Sequence, residues 1–286
     1  MITRRHFLNL SAAASAIAIF PSGGNALAAS SETRNLPDPL LSGSKKKGLG
    51  LGPRNPHWPG LLTELRLKWA YTWTGNVPDD LPVGMTFIPM VRSKSMETDK
   101  IARIAEGAKA QGITELLGLN EPDAAKQDDM TVEAALEAWP LLMATGLRLG
   151  SPACVHPDKE WMTRFMAGVK ERQLRVDFVC MHSYGGPNAQ ALVNRLQKIH
   201  ELYNRPVWVT EFGVGDWNAK SVEENRYKPE TVLRFMEQVL PMFEKQDFIE
   251  RYAWFPAAPD RIPLATSALF DADGQLTKLG QCYREA

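Results

Sequence analysis

Cysteine is scarce in this chain: Cys154, Cys180 and Cys282 are the only three among 286 residues. They are too few and too scattered for a disulfide framework or a metal cluster. Cys154 and Cys180 fall on neighbouring expected strands, so one bridge between them stays open, with buried free thiols as the default. Histidine is also sparse: His57, His156 and His182 show no ligand spacing, and no His-Glu-x-x-His run occurs. No metal and no cofactor are therefore expected. A phosphate-binding glycine loop is missing as well. Gly48, Gly50 and Gly52 alternate, but Pro53 stands where a dinucleotide fingerprint needs its third glycine, so these glycines read as small residues in a crowded interior. Charge of one sign is not in excess, with 33 Lys and Arg against 33 Asp and Glu. Nucleic acid is a poor candidate partner on that balance. No apolar run approaches the roughly 20 residues that span a bilayer, and no internal repeat is visible.

What is present begins with Thr3-Arg4-Arg5-His6-Phe7-Leu8, a weakly apolar run from Leu10 to Phe20 and the small-residue site Ala26-Leu27-Ala28. This is a twin-arginine export pattern, with the ordinary secretory route as the alternative. Residues 1–28 are expected to be removed after the twin-arginine machinery has delivered the chain to the periplasm or the medium, leaving no stable membrane anchor. Residues 29–47, rich in Ser, Pro, Gly and Lys, read as a flexible linker, with Lys45-Lys46-Lys47 solvated. Residues 48–286 then form one domain.

Within that domain, short β-rich runs alternate with amphipathic stretches, the pattern of βα units around a parallel sheet. Expected strands are Gly48 to Gly52, Trp69 to Trp73, Thr86 to Val91, Glu115 to Asn120, Arg148 to Ala153, Phe178 to Tyr184, Val207 to Gly213 and Arg251 to Pro256. Helices are expected over Glu97 to Gln111, Thr131 to Gly146, Lys159 to Glu171, Ala189 to Tyr203 and Pro229 to Gln246. Eight strands in this order predict an α/β fold, a single (β/α)8 TIM barrel. Local irregularity is expected over Thr74 to Met85 and over Ala257 to Thr277.

Such barrels carry their chemistry at the C-terminal ends of the strands. Strand four ends Leu119-Asn120-Glu121-Pro122 and strand seven ends Val209-Thr210-Glu211-Phe212-Gly213, one glutamate at the top of each. Breaking a glycosidic bond takes one carboxylic acid to protonate the leaving oxygen and one carboxylate on the other side of the sugar. Glu121 and Glu211 meet that demand, as acid/base and nucleophile. His182 and Tyr184 share a face by the strand period of two, close enough to bond the nucleophile or a sugar hydroxyl. Trp73 and Trp254 lead the candidates for sugar stacking, with Trp58 and Trp217 next, against core packing as the plain alternative. Asn120 joins the substrate-binding set beside Glu121.

Taken in order, Trp69-Ala70-Tyr71-Thr72-Trp73, Phe87-Ile88-Pro89-Met90, Leu119-Asn120-Glu121-Pro122, Val176-Asp177-Phe178, Val207-Trp208-Val209-Thr210-Glu211-Phe212 and Arg251-Tyr252-Ala253-Trp254-Phe255 are similar to segments of glycoside hydrolase family 128. So are Ser267-Ala268-Leu269-Phe270-Asp271 and Leu276-Thr277-Lys278-Leu279-Gly280 at the end. The resemblance implies a barrel that acts mainly on β-1,3-glucans and agrees with the roles given to Glu121 and Glu211. It departs at Val91-Arg92-Ser93, where the family carries Trp-Gly, and at Ser183, where it carries a bulkier aromatic. Arg92 exchanges stacking area for hydrogen-bond donors that can meet a charged or differently linked sugar. A retaining endo-β-1,3-glucanase with a β-glucan as partner is the leading expectation. A hydrolase or transglycosylase of another β-glycan, or a barrel that binds sugar without turnover, are the alternatives.

Overall fold

A computed structural model describes residues 43–51, 58–78 and 81–286. The expected export leader and linker residues 29–42 lie outside the described residues. So do Gly52 and the side chain of Trp58.

The described chain runs β1(Lys47–Gly50), α1(Trp58–Glu64), β2(Trp69–Tyr71), β3(Thr86–Phe87), α2(Thr98–Ala110), β4(Glu115–Leu116), α3(Val132–Met143), β5(Arg148–Leu149), α4(Glu160–Glu171), β6(Val179–Ser183), α5(Ala189–Tyr203), β7(Val207–Phe212), α6(Pro229–Glu244), β8(Ile249–Trp254) and α7(Lys278–Glu285). All strand pairings between these elements are parallel, in the orders β3-β2-β1-β8-β7-β6 and β4-β5. Isolated parallel bridges join the two groups, Met90 to Leu117 on one side and Gly150 to Phe178 on the other. The eight strands therefore follow one another around a ring. Strands three to five are shorter than their sequence runs suggest because Pro89 and Pro152 remove ladder donors. Single bridges such as Asn120 to Ala153 continue the pairing beyond them. As expected, the described part of 74–85 holds no helix, and 257–277 holds only a short 3-10 turn at Ala265–Ser267 and an isolated antiparallel bridge from Phe270 to Leu276.

Helix ends follow local chemistry. The side chains of Thr131, Asn188 and Thr277 accept from the backbone N–H three residues on, capping α3, α5 and α7. Pro229 starts α6, where its missing donor is harmless. In α6, Val232, Phe235, Met236, Val239, Leu240 and Phe243 are buried at helical spacing against the sheet.

Inside the ring the core is aromatic: Trp69, Tyr71, Phe178 and Trp208 are all fully buried, with Phe178 stacked on Trp208 at 4.0 Å between centroids. Small residues opposite make the room. A Cβ on Gly48 would lie 2.2 Å from the Trp69 indole, and one on Gly150 would lie 2.6 Å from the Phe178 ring. Gly48, and Gly50 where a Cβ would lie 3.0 Å from the Trp73 ring, thus serve packing. Cys154 and Cys180 are buried free thiols, and Cys282 is free too. Burial pushes the Cys180 thiol well up. No helix among the described residues is long and apolar enough to cross a membrane.

One boundary is corrected. Lys46 and Lys47, expected in a solvated linker, belong to the folded body. Lys46 Nζ donates to the carbonyls of Phe243, Glu244 and Gln246. Lys47 is fully buried in β1, and its Nζ donates to the carbonyls of Tyr283, Arg284 and Ala286 at 2.7, 3.0 and 2.6 Å. Burial, with Arg66 nearby, lowers its pKa to about 8. The carbonyls left unpaired at a helix C-terminus explain why ammonium groups are drawn in here.

Candidate active site

The C-terminal strand ends surround a cleft of about 790 Å³. Glu121 follows the Asn120 to Ala153 bridge at the mouth of the fourth strand, and its φ of +46° is a left-handed conformation rare for a side chain of this size. Trp73, just past β2, is also left-handed, at φ +56°. Two such residues facing one cleft are an arrangement the surrounding structure must hold in place.

Glu211 lies in β7 and is 5% exposed. Three donors meet its carboxylate. Trp73 Nε1 donates to Oε1 at 2.7 Å, and the Tyr71 hydroxyl shares its one proton between the Thr210 carbonyl at 3.0 Å and the same carboxylate oxygen at 3.3 Å. The Tyr184 hydroxyl donates to Oε2. Burial, then the charge of Glu211, pushes both tyrosines well above their ordinary range, so their protons stay available to the carboxylate. His182, in β6, stands between the glutamates. Its Nδ1 is 2.8 Å from Glu121 Oε1, and its Nε2 is 3.4 Å from Glu211 Oε1 without forming a hydrogen bond.

Burial alone would lower the pKa of His182, but the charge of Glu211 and the hydrogen bond that Nδ1–H donates to Glu121 outweigh it and raise the pKa above the ordinary 6.5. The folded state thus holds this proton more tightly than the unfolded chain does. Its stabilising contribution is complete below pH 6.5 and is lost as pH rises through the raised value. Thermal melts of wild type and His182→Asn across pH 5–9 are expected to diverge most at the acidic end, with the gap shrinking on the alkaline side. A gap that widens with pH would refute the assignment.

Glu121, His182 and Glu211 bring ligand-type atoms within 4.8 Å of one another, the one such group among the described residues. Trp73, Tyr71 and Tyr184 already aim hydrogens at Glu211, which is how a protein holds an anion rather than a cation's ligand. The same limit of 4.8 Å places a carboxylate oxygen of each glutamate near the other. Nearest oxygens that close accord with the roughly 5–5.5 Å between the carboxyl groups of double-displacement glycosidases.

Of the residues anticipated from sequence, the structure brings Glu121, Glu211, Asn120, His182, Tyr184, Trp73 and Arg92 to this cleft. Asn120 Oδ1 is buried without a hydrogen-bond partner. Trp73 is tied to the Glu211 carboxylate rather than free for stacking alone. Arg92 is also engaged: its Nε donates to Asp128 Oδ1 at 3.0 Å, while Asp128 Oδ2 accepts from Asn120 N at 2.8 Å. The guanidinium therefore braces the segment that carries Glu121.

Trp254 requires correction. It is 0% exposed, packs against Phe212 and Phe235 on the helix side of the sheet, and donates Nε1 to Ser267 O at 2.8 Å. Alternation turns Ala253 inward and Trp254 outward, so Phe255, just past β8, is the aromatic that reaches the cleft. Tyr71 and Phe255 were missed. The shared face of Trp69, Tyr71 and Trp73 signalled the first, but nothing in the run Tyr252 to Phe255 fixed its inward face. Trp217 lies on the rim, 58% exposed, with its ring across that of Tyr184.

The family model of the glycosyl hydrolase catalytic core matches residues 56–283. A subgroup I endo-β-1,3-glucanase of family 128 from Amycolatopsis mediterranei, solved as a glutamate variant with laminarihexaose, is 33% identical. The match covers 85% of this chain and 100% of that one, with a TM-score of 0.73. The chain belongs to this family, glycoside hydrolase family 128. A subgroup II family 128 endo-β-1,3-glucanase from Sorangium cellulosum is 26% identical over 84% of this chain and 98% of its own, with a TM-score of 0.69. The alkali-sensitive linkage protein 1 of Schizosaccharomyces pombe is 25% identical over 228 residues, which are 76% of this chain. The chain spans only 40% of that curated relative's length.

Proposed function

We propose that this family 128 member is a retaining endo-β-1,3-glucanase. The observation that carries the reading is the pair of glutamate carboxylates, with oxygens within 4.8 Å, at the mouth of one barrel. Glu211 attacks the anomeric carbon while Glu121 passes its proton to the glycosidic oxygen, so the leaving chain departs as an alcohol and a glycosyl ester remains on Glu211. Glu121, now a carboxylate, takes a proton from water. The water oxygen then attacks the same carbon from the opposite face and frees Glu211. The donors from Trp73, Tyr71 and Tyr184 fix the attacking carboxylate before the sugar arrives. Asn120 offers its unpartnered acceptor to a hydroxyl of the bound sugar. Action on 1,3-linked chains is supported by likeness to the Amycolatopsis enzyme. The twin-arginine leader read at Thr3 to Leu8 supports action in the periplasm or beyond the cell.

Proton NMR of freshly cleaved laminarin is expected to show the β-anomer first, with the α-anomer growing in by mutarotation. Parallel chromatography on cellulose and mixed-linkage glucan is expected to show laminarin as the preferred polymer. An initial α-anomer, or turnover of the other glucans but not of laminarin, would defeat the proposal.

A further inference from the structure

The glutamates are the only acidic side chains among the described lining of the cleft; the other charged residues there are Arg92, Lys126, Arg195 and Arg261, with His156 beside them. This does not follow from composition, since positive and negative residues are equal in number over the chain. Nor are all of these cations neutralised. Arg92 is paired with Asp128, and Arg195 reaches Asp158 only at 3.4 Å. Lys126 has no carboxylate partner among the described residues. Arg261 has none either, and its guanidinium lies over the Phe255 ring at 4.9 Å, leaving its edge N–H groups open to the cleft.

Their placement is two-sided. Lys126 is in the loop after the fourth strand. That loop is fixed to the next one by Asp123, which accepts from the backbone N–H of Val155 and of His156 at 3.0 and 3.1 Å. Arg195 leans on the same edge from α5, through Val155 O at 3.4 Å. Arg261 follows β8, and β4 and β8 stand opposite each other in a ring of eight. Unneutralised cations thus flank the glutamates along both directions of the cleft.

A plain β-glucan is neutral and offers these cations nothing to balance. We propose that the natural substrate is a β-glucan bearing sparse anionic substituents, carboxylate or phosphodiester, bound by Lys126 and Arg195 on one side and Arg261 on the other. The substituents lie at least one sugar away from the bond being cut, because a charge beside Glu211 would be repelled. This rests on the glucanase reading above and deepens it. A cleft lined by one sign of charge concentrates oppositely charged ligands, and salt weakens the effect.

The test uses the full chain and three β-1,3-glucans of matched length: neutral, lightly carboxymethylated and lightly phosphorylated. At low ionic strength, kcat/KM is expected to be about tenfold higher on a charged chain than on the neutral one, with the ratio falling towards one near about 0.5 M salt. The larger ratio of the two derivatives identifies the anion. In Lys126→Gln/Arg261→Gln the ratio should collapse towards one, and in Lys126→Arg/Arg261→Lys it should persist. A wild-type ratio at or below one, or a Gln double variant that keeps the preference, overturns the proposal. Calorimetric binding of charged and neutral oligosaccharides to Glu211→Gln reads the preference without turnover. Failure of the glucanase reading alone would therefore leave a charged-chain affinity advantage visible.

Discussion

Glu211→Gln is expected to reduce kcat on laminarin by at least about 10³-fold, since Glu211 is the carboxylate proposed to form the covalent intermediate. The replacement is close to isosteric and should leave the barrel intact. Trp73 Nε1 can only donate, so the amide oxygen must take the Oε1 place, where Trp73 and Tyr71 both donate. The amide nitrogen then faces the Tyr184 hydroxyl, which can turn and accept. The melting temperature should move little, and affinity for a laminari-oligosaccharide should stay within a few fold. Reducing-sugar release and calorimetry on the same preparation check both parts. Wild type and variant equally inert, with sugar bound by both, would mean a binding barrel instead of an enzyme.

Glu121→Gln should behave differently. Losing the proton donor is expected to lower kcat on laminarin by about 10²–10⁴-fold, the usual worth of a general acid. A nitrophenyl oligoglucoside leaves without a proton, so its first step should be largely spared while the second step, which needs Glu121 as base, stays slow. A burst of nitrophenol followed by slow turnover is the signature to look for by stopped flow. Equal losses on both substrates, with no burst, would take the acid/base role away from Glu121 and move attention to His182, which is 2.8 Å from it.

How much of this could be read in advance depended on what each signal measures. Helical periodicity located α2 to α6 closely, because burial of one face is written directly into spacing. The glutamates were legible because a strand end in a barrel fixes where a side chain goes. Strand lengths were less so, since Pro89 and Pro152 break the ladder without changing the apolar run. Trp254 was misplaced because Ala253 and Phe255, its inward neighbours, are both apolar, so either face of that strand could have been the inner one. Lys46 and Lys47 illustrate a further limit. Composition calls three lysines solvent-exposed, and only tertiary structure supplies the carbonyls of Phe243 to Gln246 and of Tyr283 to Ala286 that accept them. Arg92 marked the departure in strand three, while its engagement by Asp128 became visible only in three dimensions.

The grip of Lys47 on Tyr283 to Ala286, with β1 seated beside β8, bears on how the molecule comes into being at the ribosome. The first strand can pair with β2 early, but its other edge finds β8 only after more than two hundred further residues have been added, so that edge waits unpaired through most of translation. Closure of the barrel between β1 and β8 is thus a late event. A nascent chain cut short before β8 would present that open strand edge to whatever chaperone or protease meets it.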